Sequence, residues 1–310
     1  MNQKESSQMS EKSRQTDFGR MTELLRAKVL GENRPRVLPT QFEALDNILC
    51  GGLREGITCL SGASGVGKSA LAATVAAGIA RSGNDVALFC FGSTRSDVAS
   101  VAISERMANI AGDMVAGIPC FFLDTYSPKE YPADENELID QASAEVSVYI
   151  DKIHVTEAAG STSFAEMKKA LDKLSGASAV IIDGIDELVA ASRVTNDRNK
   201  FARIVLDLRG YAMAKHIPIL FTYRISDRDL HSEDSSAPAL RHFETICSIC
   251  DAVIDLHPTI EGRECVRDGG DDLDEPIEEA LMILKNRRGT PGSFTAVEYY
   301  PQHALFVEKR

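Results

Sequence analysis

The octapeptide Gly62-Ala63-Ser64-Gly65-Val66-Gly67-Lys68-Ser69 restricts the fold of this chain more than any other stretch. Average residue usage would produce the pattern G-x-x-x-x-G-K-[ST] somewhere in a chain of this length only about 1% of the time. Its setting makes chance a poorer explanation still. Backbone N–H groups can surround an oxyanion where a strand delivers the loop and a helix begins immediately after it. Here the apolar run Ile57–Leu60 leads in and the alanine-rich run Ser69–Arg81 leads out. The glycines let the backbone approach phosphate closely, Lys68 reaches the β- and γ-phosphates, and the Ser69 hydroxyl is a magnesium ligand. Gly62 to Ser69, with Ala70 in the first helical turn, are therefore expected to hold ATP with Mg²⁺.

Around this loop, strand-like and helix-like segments alternate. The expected strands are Ile57–Leu60, Val86–Phe91, Ile150–Val155, Ala179–Ile182, Ile217–Tyr223 and Ala252–Leu256. Helical spacing marks Ser69–Arg81, Asp97–Ile110, Ser163–Leu174 and Lys200–Lys215, the third opened by a capping box of Ser163 and Glu166. Such alternation predicts an α/β fold with a mostly parallel central sheet flanked by helices. Beyond residue 280 the pattern changes to short runs joined by turns, Leu281–Leu284, Phe294–Tyr299 and Ala304–Val307, which predict C-terminal antiparallel strands. Asp227 to Pro238 and the acidic stretch Gly269 to Glu279 read as exposed loops.

A phosphate loop needs a carboxylate at the end of another central strand, to hold the metal through its water shell. Asp183, closing the apolar run Ala179–Ile182, is that candidate, and Asp186 and Glu187 follow it closely. Ser69 and Asp183 are thus the expected metal residues.

The remaining composition mostly excludes. No apolar run approaches the ~20 residues needed to cross a bilayer, and the N-terminus has no apolar signal segment, so a cytoplasmic protein without membrane contact is expected. The net charge of -12 opposes a surface that coats nucleic acid indiscriminately, and any such contact must be local. Seven cysteines, an odd number with several in apolar runs, read as reduced thiols. The C-x-x-C pair Cys247 and Cys250 reads as buried helix positions, because no second pair or histidine cluster accompanies it. Residues 1–17 read as a disordered tail. Residues 18–37 read as a linker helix (Phe18, Met21, Leu25, Val29) with a proline-containing connector, and residues 38–310 as the nucleotide-binding domain.

These residues together resemble a family, the DnaB-type replicative helicases with their RecA-like P-loop NTPase core. The likeness runs from about residue 38 to the C-terminus. It is carried by Thr40 to Asp46 leading into Gly51, Gly52, Leu53 and Gly56, by Leu208 to Pro218, by Leu240 and Arg241 with Ile246 and Asp251, and by Lys285-Asn286-Arg287-Arg288-Gly289-Thr290-Pro291-Gly292. The last is similar to the family's Lys-x-Arg element. The resemblance implies that Lys285 and Arg287 reach a neighbouring subunit's ATP site and stabilise charge on the transferring phosphoryl group, the logic of an arginine finger. It further implies a homo-oligomer, a ring of six by family likeness, around single-stranded DNA, with ATP hydrolysis driving translocation.

Two departures bear on turnover. The family's glutamate after the second strand, which activates water, is replaced by Gly92, and its glutamine after the strand ending at Tyr223 is replaced by Arg224. Losing a general base costs about 10²–10⁴-fold in rate, whereas phosphate binding rests on the loop and Lys68. Asp186, Glu187 and Glu105 are possible substitutes, and an ATP-binding assembly or regulatory protein with weak hydrolysis is the alternative function. Arg193, Arg198 and Lys200 are candidate DNA contacts, equally readable as ordinary exposed charges.

Overall fold

Alternation is the rule along the buried strands. Ile57 and Cys59 pack into one apolar layer and Leu60 into the other, and likewise Val180 and Ile182 oppose Ala179 and Ile181. A strand that buries both faces in this way belongs in the middle of a sheet with helices above and below. The computed structural model describes residues 19–27, 30, 37–112, 118–125, 130–159, 162–174, 176–190, 197–225, 238–260, 262 and 275–309. Contacts divide the chain at Val37/Leu38, and the two sides are taken separately. On the N-terminal side residues 19–27 are helical, with Met21, Leu24 and Leu25 exposed; residues 1–17 lie outside the described part.

On the C-terminal side six strands run parallel: β1 (Gly56–Gly62), β2 (Val86–Cys90), β3 (Ile153–Glu157), β4 (Ala179–Asp183), β5 (Pro218–Arg224) and β6 (Ala252–Pro258). Three more, β7 (Ile277–Asn286), β8 (Phe294–Tyr300) and β9 (Leu305–Glu308), continue antiparallel from β6. Across the sheet the order is β9-β8-β7-β6-β1-β5-β4-β2-β3, so β1 sits centrally and is buried over its whole length. One face carries α1 (Glu43–Ile48), α2 (Lys68–Arg81), α3 (Arg95–Ala111) and α4 (Ala133–Ser147). The other carries α5 (Phe164–Lys173), α6 (Ile185–Ala190), α7 (Asp197–Lys215) and α8 (Pro238–Ile249). None of the helices among the described residues is long and apolar enough to cross a membrane.

The expected α/β class with antiparallel C-terminal strands is what the chain adopts, and the differences are local. Ile150–Lys152 forms a 3-10 turn rather than the start of a strand; Ile150 still packs on the core, and a purely apolar reading cannot separate it from β3. Helix α4 escapes the apolar pattern because only Ala142 and Val146 along it are buried. Helix α3 starts two residues early, capped by Thr94, whose hydroxyl accepts the Asp97 N–H while Asp97 accepts the Thr94 N–H. The matching box at Ser163 and Glu166 forms as expected. The acidic stretch does not end as a loop: β7 starts at Ile277 and buries Glu279 opposite Val297 and Pro258. Cys247 lies on α8 half-buried, and Cys250 is buried just past its end. Burial pushes both thiols up, Cys250 beyond the ordinary thiol range.

Candidate active site

The carboxyl ends of the parallel strands converge where the order places β1 beside β5 and β5 beside β4, the edge at which open α/β sheets bind ligands. Gly62 ends β1 between Arg224 of β5 and Leu256 of β6. A Cβ at Gly62 would stand 2.3 Å from the Leu256 carbonyl oxygen, so only glycine lets three backbones pass there. At Gly67, with φ of +83°, a Cβ would meet the stacked rings of Tyr299 and Phe306 at 2.7–2.9 Å. The antiparallel strands thereby form the floor under the loop. Helix α2 begins at Lys68, with its first N–H groups directed at the loop and no side-chain cap on them.

A cavity of about 490 Å³ opens over this edge. Its walls bring together Ser64, Gly65, Gly67, Lys68, Ser69 and Ala70 from the loop with Asp183, Asp186 and Glu187, and with Gly92 and Arg224. Ala63 is packed against the core behind the loop, and Val66 is buried. Lys68 Nζ donates to the carbonyl oxygens of Gly62, at 3.0 Å, and Ala63. Burial lowers its pKa, and the carboxylates Asp183 and Asp186 oppose that shift. A cation resting on its own loop's carbonyls is placed to exchange them for phosphate oxygens.

Asp183 is 6% exposed, and Thr222 of β5 fixes its orientation. The Thr222 hydroxyl accepts the Gly184 N–H at 2.8 Å and so directs its own proton to Asp183 Oδ1, also at 2.8 Å. A carboxylate oriented in this way, lining the same cavity as the Ser69 hydroxyl at a helix start, offers hard oxygen donors of the kind Mg²⁺ takes. No group of three or more His, Cys, Asp or Glu able to hold a metal occurs among the described residues. The sequence reading did not single out Thr222, although a threonine within the otherwise apolar and aromatic run Ile217–Tyr223 is the signal that points to it.

Gly92 lies at the cavity wall in open space, where an added Cβ meets nothing within 4 Å. Glu105 is not at the cavity; its carboxylate is paired with Arg81. Asp186 and Glu187 are there, and Asp186 Oδ2 accepts the Arg224 N–H at 3.0 Å. Lys285 and Arg287 are elsewhere. Lys285 Nζ donates to the carbonyls of Cys247 and, at 3.1 Å, Ser248, and Arg287 donates to Ser248 at 3.2 Å and lies 3.6 Å from Asp251. Arg287 N–H bonds Asp251, whose own N–H bonds Ile57, five residues before Gly62. That is about 16 Å down the strand from the loop. Arg193 lies outside the described residues, and for Arg198 and Lys200 only the helical backbone of α7 is described.

Comparison with known proteins now bears on this geometry. The family described as the DnaB-like helicase C terminal domain matches residues 37–308. No curated protein sequence matches the chain. Among solved structures, an isolated ATPase domain superposes with a TM-score of 0.69 at 16% identity, covering 94% of this chain and 98% of that one. A DnaB-like replicative helicase, described with its interactions with primase, gives 0.69 at 15% identity over 94% of this chain and 66% of its own. The RadB recombinase gives 0.54 at 15% identity, covering 88% and 100%. Identities this low speak to the fold alone, which is RecA-like.

Proposed function

The chain belongs to the DnaB-like helicase C-terminal domain family, and from that premise we propose that it is the nucleotide-driven motor unit of an oligomeric assembly on single-stranded DNA. The observation that carries this reading is the single cavity in which the glycine loop, Lys68, Ser69 and the oriented Asp183 meet. Gly62 to Ala70 bind the triphosphate of ATP, Lys68 neutralises its β- and γ-oxygens, and Ser69 and Asp183 hold Mg²⁺. The ion, when bound, neutralises charge building on the phosphate oxygens. Lys285 and Arg287 sit too far down the sheet to serve their own loop, which supports their delivery to the next subunit's site. Head-to-tail contacts of that kind close into a ring, six-membered in our reading, or continue as a filament.

ATP turnover measured with and without single-stranded DNA tests the motor, with Lys68→Ala as the control expected to lose nucleotide binding by about 100-fold or more, in line with ~2–3 kcal/mol for a charge-assisted contact plus the unpaired anion. Turnover indifferent to DNA in the assembled protein would remove the motor from this reading.

Gly92 favours a second function, in which bound ATP holds subunits together without being consumed. Light scattering would then find an oligomer that forms with ATP and persists for hours, with no phosphate released.

A further inference from the structure

With glycine at position 92, the cavity wall where a water-activating carboxylate could stand is bare, yet four other carboxylates border the same cavity: Asp97, Asp183, Asp186 and Glu187. Three are poorly suited to accept a proton from water. Asp97 is engaged at the start of α3, where it accepts the Thr94 N–H at 2.7 Å. Asp183 is tied to Thr222 and, under the nucleotide reading above, faces the metal. Glu187 is exposed, and no hydrogen bond from its side chain to the described residues holds it at one distance from a phosphate.

Asp186 differs in burial from Glu187 and in the place of its anchor from Asp97 and Asp183. It stands in the first turn of α6, half-buried, and Oδ2 accepts the N–H of Arg224, the residue paired directly with Gly62 of the phosphate loop. That bond fixes the carboxylate from the neighbouring strand, so that it is both within the cavity and held still. Position comes first for a base and basicity second. Burial raises its pKa, with Arg224 and Lys68 opposing, so the group binds a proton more readily than a solvated aspartate.

We propose that Asp186 is the general base of this site, taking on from α6 the task that no side chain performs at Gly92. Resting on the nucleotide reading, the step is ATP hydrolysis. The water oxygen forms a bond to the γ-phosphorus while the bridging bond to the β-phosphate oxygen breaks, and that electron pair leaves on ADP. The water proton passes to the Asp186 carboxylate and from there to the released phosphate or to solvent. Arg224 acts beside it twice, its N–H orienting the base and its side chain lining the cavity near the phosphates.

The test combines turnover with separately measured nucleotide binding in the full chain, using a fluorescent ATP analogue with Mg²⁺. Asp186→Asn keeps an oxygen for the Arg224 N–H and removes only the basic charge. It is expected to lower kcat by about 10²–10⁴-fold with nucleotide affinity within about threefold, and to abolish the acid limb of the kcat–pH profile. A glutamate has room at position 92, so Gly92→Glu added to Asp186→Asn is expected to restore turnover at least tenfold. Unchanged turnover in Asp186→Asn overturns the proposal. So does a wild-type chain that binds ATP without hydrolysing it, or a loss that follows Glu187→Gln and not Asp186→Asn. A wild-type chain that binds no nucleotide sinks the nucleotide reading itself, which the binding measurement registers independently.

Discussion

The two ends of the central sheet treat their charged side chains in opposite ways. At the carboxyl ends of β1, β4 and β5, cations and carboxylates from distant parts of the chain face one cavity, and several are held by hydrogen bonds that leave them directed at it. At the other end, where β7 reaches Asn286, Lys285 and Arg287 rest on the last carbonyls of α8 and beside Asp251. Cations are favoured there because the C-terminus of a helix carries partial negative charge. The first end builds a site within one chain. The second keeps its two charges on its own chain's carbonyls, away from that site.

The largest expected effect comes from breaking the second end. Arg287→Ala should lower turnover by about 10³–10⁵-fold, the range for removing an arginine finger, while one subunit's nucleotide affinity changes little. Mixing it with a Lys68→Ala chain sharpens the point. Each variant lacks what the other supplies, so mixed assemblies should regain part of the activity if Arg287 acts across subunits, and none if it acts within its own.

A smaller effect is expected at the first end from Thr222→Val, which keeps the shape and removes the hydroxyl that orients Asp183. The Mg²⁺ concentration for half-maximal nucleotide binding should rise roughly tenfold, the lower limit for losing the hydrogen-bond partner of a metal-holding carboxylate, with metal-free nucleotide binding unaffected. Thr222→Ser should restore the wild-type value. An unchanged magnesium dependence would mean that Asp183 needs no such support.

The last effect is on stability and also belongs to the first end, at Glu279, which pairs with Pro258 two residues beyond the Leu256 partner of Gly62. Glu279 is 1% exposed, and its Oε2 has no hydrogen-bond partner among the described residues. Burial raises its pKa to about 8, Lys68 opposing and Asp255 adding to the shift. Above about pH 4.5 the unfolded chain gives up this proton, while the folded chain keeps it until about pH 8. Stability from this group is therefore full at low pH and is lost as pH rises through that window. Glu279→Gln should flatten the fall of Tm between about pH 4.5 and 8, the window in which the wild type loses about 1.4 kcal/mol per pH unit. If wild type and variant lose Tm in parallel, Glu279 is ionised in the fold.

The fold class, the phosphate loop and Asp183 were determined by the sequence itself, because each is a local pattern. Period-two burial, a glycine spacing and an acid closing an apolar run are all written within a few consecutive residues. Membership in the helicase family could likewise be read from motifs strung along the chain. What lay beyond a local reading were relations between residues far apart. Thr222 and Asp183 are 39 positions apart, and no periodicity says that one hydroxyl will orient the other. Glu279 reads as part of an acidic loop until β7 is seen paired between β6 and β8. Lys285 and Arg287 stand out by their resemblance to the family's Lys-x-Arg element, but the register of β7 on β6 alone decides that they stand at the opposite end of the sheet from Lys68. The physical reason is common to all three: hydrogen-bond partners and burial in a sheet follow the order and register of its strands, and these emerge only when the whole core packs.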